Sequence, residues 1–454
     1  MPDILLVILA VVFVLGVAIN IHEFGHFIVA KMFGMRVEAY SFFGLGPRIW
    51  GFKRGHTDYR ISAIPLGAYV KLYGDEETAA LEGGESTGET VPESELYELR
   101  PRWQKFLVMI GGPFMNIMLA LAIPFAAAMI YGVPSMPDPI ISYVEPNGAA
   151  ERAGVRAGDR IVAFDGEQNP TWRKVETSSA ISPDKPLQII VERNGENIPL
   201  TLAPAKADRR GQAFGDPQMR PETGAQEVFA RNVMPDSPAL AAGMENGDRI
   251  LAVNGTNVRN VPNFMTLVQE NKAAPLDILV ERGGERKNLA ITAAMTDGGQ
   301  ARIGVELRGT GSSVREPATL GQSASFAVNS NYEIIALTGR VFGQLFSGER
   351  AVKDAGLAGP VGIVGIISNV VKEDGFAGLF AILAVISLNL GVFNLLPIPL
   401  LDGGQIMVLG IEKVMSWFGK TLSMAFREKI QMAGLGIILL LMVFTLFLDV
   451  SRFF

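Results

Sequence analysis

The chain has 454 residues, 48% of them hydrophobic, with three histidines, no cysteine and a formal net charge of -6. A length of this order points to several domains, and the missing cysteines exclude disulfides and thiolate metal sites, which leaves imidazole and carboxylate as the metal donors. The net acidity leaves no basic footprint for nucleic acid.

Four stretches, 4–21, 106–133, 376–401 and 430–448, are apolar and free of charge. Each is about long enough to cross a hydrocarbon core of roughly 30 Å. The first lacks the basic start and small-residue cleavage site of a secretory signal and is expected to be retained. It runs into His22-Glu23-Phe24-Gly25-His26. On a helix, positions four apart share a face, so this H-E-x-x-H pattern offers two imidazoles to one metal with Glu23 beside them. Ionisable groups in hydrocarbon are expensive, which makes function the default reading of three together.

The segment after this span carries Lys31, Arg36, Arg48, Lys53, Arg54, Arg60 and Lys71, and the third loop carries Lys413, Lys420, Arg427 and Lys429. The positive-inside rule puts both in the cytoplasm, with the long polar region and both termini on the outer side. Within 36–71, aromatic and β-branched runs at 48–53 and 58–64 flank Arg54-Gly55-His56-Thr57 and read as a hairpin, apolar enough to enter the membrane beside the metal. The acidic stretch 75–98 reads as a flexible solvated loop. The second span carries Gly111-Gly112-Pro113-Phe114-Met115-Asn116. Small residues there let helices approach closely, and Asn116 is expected to support the site from behind its ligands or to serve packing.

Between the second and third spans, 144–166 aligns with 233–255, and the offset persists where Val191-Glu192-Arg193 matches Val280-Glu281-Arg282. A period of about ninety residues suits tandem domains better than a solenoid. The pattern, a Ser-Pro-Ala helix start, a Gly-Asp turn and an apolar strand into Asn-Gly, resembles the PDZ domain, which binds extended peptides or free C-termini by strand addition. The other reading is a spacer that obstructs access. Residues 320–346 have helical apolar spacing, and the run 359–371 is too short to span, so it lies at the interface or re-enters.

The third span ends in Asn394-Leu395-Leu396-Pro397-Ile398-Pro399-Leu400-Leu401-Asp402. Two prolines two apart break a helix, so backbone is exposed at depth. By the orientation above, Asp402 and the two motif histidines share the cytoplasmic end of the bundle. A catalytic zinc takes three protein ligands and keeps one open position. Asp402 is the favoured third ligand, and His56, in the hairpin turn, is its rival. With one zinc on His22, His26 and Asp402, Glu23 is the general base and the amide of Asn394 a donor to the developing oxyanion.

These motifs, with Gly112-Pro113-x-x-Asn116 and Gly359-Pro360-Val361-Gly362, make the chain resemble the site-2 protease family of intramembrane zinc metalloproteases over nearly its whole length. The resemblance implies zinc on His22, His26 and Asp402, Glu23 as base, and substrate-binding roles for Asn394, Pro397 and Pro399. It implies a bacterial inner-membrane protein with periplasmic PDZ domains that exclude bulky substrates. The implied substrates are single-span proteins: an anti-sigma factor already trimmed by another protease in the envelope-stress response, and remnant signal peptides. The membrane-entering hairpin is implied to pair with the unwound substrate.

The expected fold is therefore a multi-pass α-helical membrane protein with four transmembrane helices, a membrane-associated β-hairpin and two inserted α+β PDZ domains. Its divisions are 1–33 (first span), 34–103 (hairpin and acidic loop), 104–133 (second span), 134–220 and 221–308 (the two repeats), 309–375 (amphipathic helices), 376–408 (third span), 409–429 (loop) and 430–454 (fourth span). A peptide-binding membrane scaffold is the competing class, and Glu23 speaks against it, since a structural site needs no base. A transporter, suggested by the broken span, lacks the usual inverted repeats.

Overall fold

The computed structural model describes residues 2–64, 67–74, 91–134, 139–209, 212–272, 274–296, 299–310, 315–348, 358–419 and 422–451. Most of the acidic loop expected at 75–98 lies outside them. The chain divides into two compact units, one of 1–131, 318–342 and 357–454, the other of 132–317 and 343–356.

The first unit is a helix bundle with a small sheet. Helix α1 (Pro2–Met32) carries the apolar first span and the metal motif on one continuous helix. It crosses α2 (Arg102–Tyr131) so closely that a Cβ on Gly25 would overlap the Gly111 carbonyl. Glycine is required there by space, as expected where small residues let two backbones meet. Among the described residues, four helices are long and apolar enough to cross a membrane: Ile4–Met32, Arg102–Tyr131, Gly375–Asn394 and Lys429–Val450.

The hairpin proves to be half of a four-stranded sheet. Strands β1 (Val37–Ser41), β2 (Leu45–Arg54), β3 (Thr57–Ile64) and β4 (Tyr69–Leu72) lie in the order β2-β3-β1-β4. Gly55, at φ 63°, and His56 close the β2–β3 turn. β1 runs parallel to β3, and β4 pairs antiparallel with β1. These non-local pairings place β2 and β4 at opposite edges. β2 presents exposed Ile49, Trp50 and Phe52, an apolar edge suited to lipid.

Pro124 inside α2 lacks the N–H that would bond the Ala120 carbonyl one turn back. Asn331 of α3 (Leu320–Phe346) supplies that donor, with Nδ2 3.1 Å from the Ala120 oxygen. Helix α4 (Pro360–Asn394) bends at Gly375, where φ is 62°, so the short run after Gly359 forms its own helical arm before the third span. The amides of Gly359 and Gly362 at the start of that arm donate to the carboxylate of Asp449 at 3.1 and 2.9 Å. Asp449 belongs to α6 (Met424–Ser451), which follows α5 (Asp402–Trp417).

The second unit contains the two expected α+β repeats, each with its own apolar core. Phe164, Ile189 and Leu202 sit in the first and Ile250, Leu276 and Ile278 in the second. The sequence repeat has a physical cause. In each domain the Asp of the Gly-Asp turn is buried and bonded by two nitrogens of the Arg from the Val-Glu-Arg strand. Arg193 reaches Asp159 at 2.7 Å twice, and Arg282 reaches Asp248 at 2.6 and 2.8 Å. Losing the arginine would strand a buried carboxylate.

Candidate metal centre

Helical spacing puts His22 and His26 on the face of α1 that meets α2, with their Nε2 atoms 3.2 Å apart. Each ring is held from behind. Nδ1–H of His26 donates to the Val108 carbonyl at 2.7 Å, which leaves the Nε2 lone pair free to ligate. Nδ1 of His22 lies 3.2 Å from the side-chain amide of Asn116, which is fully buried. With the amide oxygen turned to the ring, Nδ1–H donates to it and Nε2 is again the free atom. Ser387 Oγ–H donates to the Asn116 backbone carbonyl at 3.0 Å and fixes its place.

The third group arrives through the break in the third span. Helix α4 ends at Asn394, the chain turns through 395–401 with Leu400 at φ 80°, and α5 begins at Asp402. Gly403 and Gly404 pack on the carbonyls of Leu395 and Ile398, with no room for a Cβ. The turn brings Asp402 Oδ2 to 3.1 Å from His22 Nε2 and Oδ1 to 3.4 Å from His26 Nε2. One ligand atom from each of the three residues lies within 4.8 Å of the others.

Among the described residues, Asp402 Oδ2 is buried without a hydrogen-bond donor. Two imidazole lone pairs and a carboxylate that converge in a buried place repel one another unless a cation lies between them. This donor set, two nitrogens and one oxygen with no sulfur, suits a catalytic zinc.

Glu23 borders the same cavity of about 380 Å³, which Val70 of β4 also lines. Asn394 also lines the cavity, with Nδ2 3.1 Å from His22 Nε2. His56 stays in its hairpin turn, outside the cluster. Pro397 and Pro399 shape the turn that delivers Asp402, but neither lines this cavity. Pro399 lies instead against Gly434 of α6 and borders a second cavity of about 150 Å³.

Two contributors, the Val108 carbonyl and Ser387, carry no mark in the sequence, and Gly112, read there as close helix packing and part of a motif, does more than that. A Cβ on Gly112 would overlap His26 Nε2 and stand 2.8 Å from a ring carbon of each histidine, so glycine here makes room for the two imidazoles. The glycine pair just before a proline in the second span was the available signal, since it marks a place where something must come close to backbone.

Residues 10–441 match Peptidase family M50. The chain is 31% identical to the regulator of sigma-E protease RseP of Escherichia coli (strain K12), covering 96% of this chain and 97% of that protein. It is 31% identical to protease RseP of Yersinia pestis over 100% of both chains, and 28% identical to the regulator of sigma E protease of Haemophilus influenzae over 96% and 97%. Among solved structures, the PDZ domain of the SdrC-like protein from Listeria monocytogenes aligns at 23% identity and a TM-score of 0.18, covering 19% of this chain and 92% of that one. With relatives matched nearly end to end and the family match running from within the first apolar helix to within the last, the chain belongs to Peptidase family M50 and is a membrane zinc metalloprotease.

Proposed function

We propose that the protein cleaves the transmembrane segments of single-span membrane proteins, with His22, His26 and Asp402 as the ligands of one zinc ion and Glu23 as general base. The observation that carries this reading is the position of Glu23, next in sequence to a buried ligand and on the wall of the same cavity. Zinc held there would supply the Lewis acidity that lowers the pKa of a bound water to about 7. Glu23 accepts the proton of the attacking water and returns it to the leaving amine. The Asn394 amide donates to the oxyanion, and its loss is expected to lower the rate by roughly 10² to 10³.

Strand β4 gives the substrate a template. It ends the sheet, and Tyr69, Val70 and Leu72 line the cavity beside Glu23. A transmembrane helix hides its backbone bonds internally, so it must unwind before its amides can pair with this edge. Pro397 and Pro399 act in substrate binding through the turn they shape. In this reading the chain sits in a bacterial inner membrane, with the catalytic end toward the cytoplasm and the two α+β domains and both termini in the periplasm. Its substrates are a pre-trimmed anti-sigma factor of the envelope-stress response and remnant signal peptides, and the α+β pair holds back proteins with bulky outer parts.

Cleavage of a reconstituted single-span protein, with and without its outer domain, tests this. Glu23→Gln should retain zinc and lose roughly 10² to 10⁴ in rate. Chelation should abolish cleavage by the intact protein, and readdition of zinc should restore it. Undiminished cleavage by Glu23→Gln, or cleavage that survives complete metal removal, would refute the assignment.

A further inference from the structure

The two α+β domains meet through polar contacts at one corner of the second. Strand Ile141–Val144 of the first domain lies against helix Val261–Asn271 of the second. Just beyond that strand, Arg302 Nη2 donates to Glu145 Oε1 at 2.9 Å, and Gln300 Nε2 donates to the Pro146 carbonyl at 3.2 Å. The Glu145 side chain is 12% exposed, whereas Arg302 is 59% exposed and open to a newcomer. Arg302 is braced, with Nε and Nη2 donating to Gln300 Oε1 at 3.1 and 2.7 Å. Gln269 of the helix clamps the same loop, accepting from Ala301 N–H at 3.0 Å and donating to the Ala301 carbonyl at 2.9 Å.

The strand that leaves this loop gives the ion pair its meaning. Strand Val305–Thr310 ends the sheet of the second domain, paired with Glu227–Val233 on one side and with no strand on the other among the described residues. Helix Val261–Asn271 stands beside it. An edge strand beside a helix is where a guest strand adds. A guest running antiparallel to Val305–Thr310 ends at the beginning of that strand, at Arg302. Its terminal carboxylate then needs the guanidinium that Glu145 already holds, and a charge-assisted bond of this kind is strong enough to decide which one stays. The first domain offers a shorter template, the three-residue strand Met219–Pro221, and its neighbouring Gly215 packs on the Ser179 carbonyl of helix Trp172–Ala180.

We propose that Glu145 is a built-in stand-in for a peptide C-terminal carboxylate at Arg302, so that a peptide ending in a free carboxylate binds the second domain by displacing Glu145 and parts the two domains at this contact. The inference rests on reading these domains as peptide-binding modules and is independent of the cleavage chemistry.

The test uses the full chain in lipid nanodiscs and a fluorescein-labelled decapeptide ending in leucine, as free acid and as C-terminal amide. Glu145→Gln removes the competitor and tightens binding of the free acid about 10-fold, as expected when a blocked site becomes fully available. The amide is unaffected, and Arg302→Gln weakens the acid by a similar factor. Because the chain has no cysteine, spin labels at Glu196→Cys and Glu285→Cys, both exposed, report the distance between the domains without background. Saturating free-acid peptide and Glu145→Gln each shift that distance distribution in the same direction, with Glu145→Asp intermediate. Equal affinities of the intact chain and Glu145→Gln, equal affinities for acid and amide, or an unmoved distance overturns the proposal. Binding of neither peptide by any variant also overturns it. Cleavage assays with Glu23→Gln are untouched by that result, so the two failures are distinguishable.

Discussion

Gly112→Ala tests whether the second span shapes the metal centre or only packs against it. The new methyl would stand 2.8 Å from His22 Cε1 and 2.8 Å from His26 Cε1. Carbon atoms in contact settle at roughly 3.5 Å or more, so one or both rings must retreat by about 0.7 Å, or α2 must move away from α1 by a similar amount. Metal–nitrogen distances tolerate about 0.2 Å. Neither ring can simply turn, because His26 is tied to the Val108 carbonyl and His22 faces Asn116, both on α2. Zinc affinity should therefore fall at least 10- to 100-fold, the range seen when the supports of metal ligands are removed. Competition with a chromophoric chelator measures it on purified protein, without reference to cleavage. Gly436→Ala in α6, where a Cβ meets nothing within 4 Å, is the matched control and should bind zinc normally. Wild-type zinc affinity in Gly112→Ala would show that the α1–α2 contact is looser than these distances state, and the spatial argument for glycine would fall.

Asn116→Ala removes the partner of His22 Nδ1, and zinc affinity should fall 10- to 100-fold with little change in helix content by circular dichroism. Asp449→Ala leaves the amides of Gly359 and Gly362 without their acceptor and should destabilise the bundle by about 1–3 kcal/mol, with Asp449→Asn milder, as read by thermal unfolding in detergent. Burial alone would raise the Asp248 pKa, but bonds from the Arg282 guanidinium and the Glu245 amide hold it below its ordinary value of 3.8. A depressed folded pKa contributes stability that is complete above the unfolded pKa and is lost as pH falls through the folded one. Hydrogen-exchange protection of strand Arg249–Val253 should thus hold down to about pH 4 and fall below it, and Asp248→Asn should be weaker throughout and flatter over that acid range.

The parts of the site legible in the sequence were those where chemistry conflicts with surroundings. His22, Glu23 and His26 stand out because hydrocarbon disfavours them, and Asp402 because two prolines break the span just ahead of it. The geometry that makes these residues useful was not legible. The parallel pairing of β1 with β3, and with it the placement of β4 beside Glu23, depends on strands far apart in sequence, and no local pattern encodes it. Apolar runs at 48–53 and 58–64 announced only the hairpin. The tautomer of His26 is set by a main-chain carbonyl, which every residue possesses and none advertises. Asp449 went unremarked at the end of an apolar run because its partners are two backbone amides near position 360.

The Pro124–Asn331 contact fixes the level at which α3 meets the second span. Proline opens one socket in an otherwise self-satisfied helix, and the Ala120 carbonyl in that socket has a donor only while Asn331 stands opposite it. Sliding α3 by one turn, about 5.4 Å, would leave that oxygen bare in a medium without water. An amphipathic helix held by greasy contact alone has no preferred level to that precision. Here a single amide acts as a detent, so the helix that leads from the α+β domains back into the bundle enters it at one indexed level.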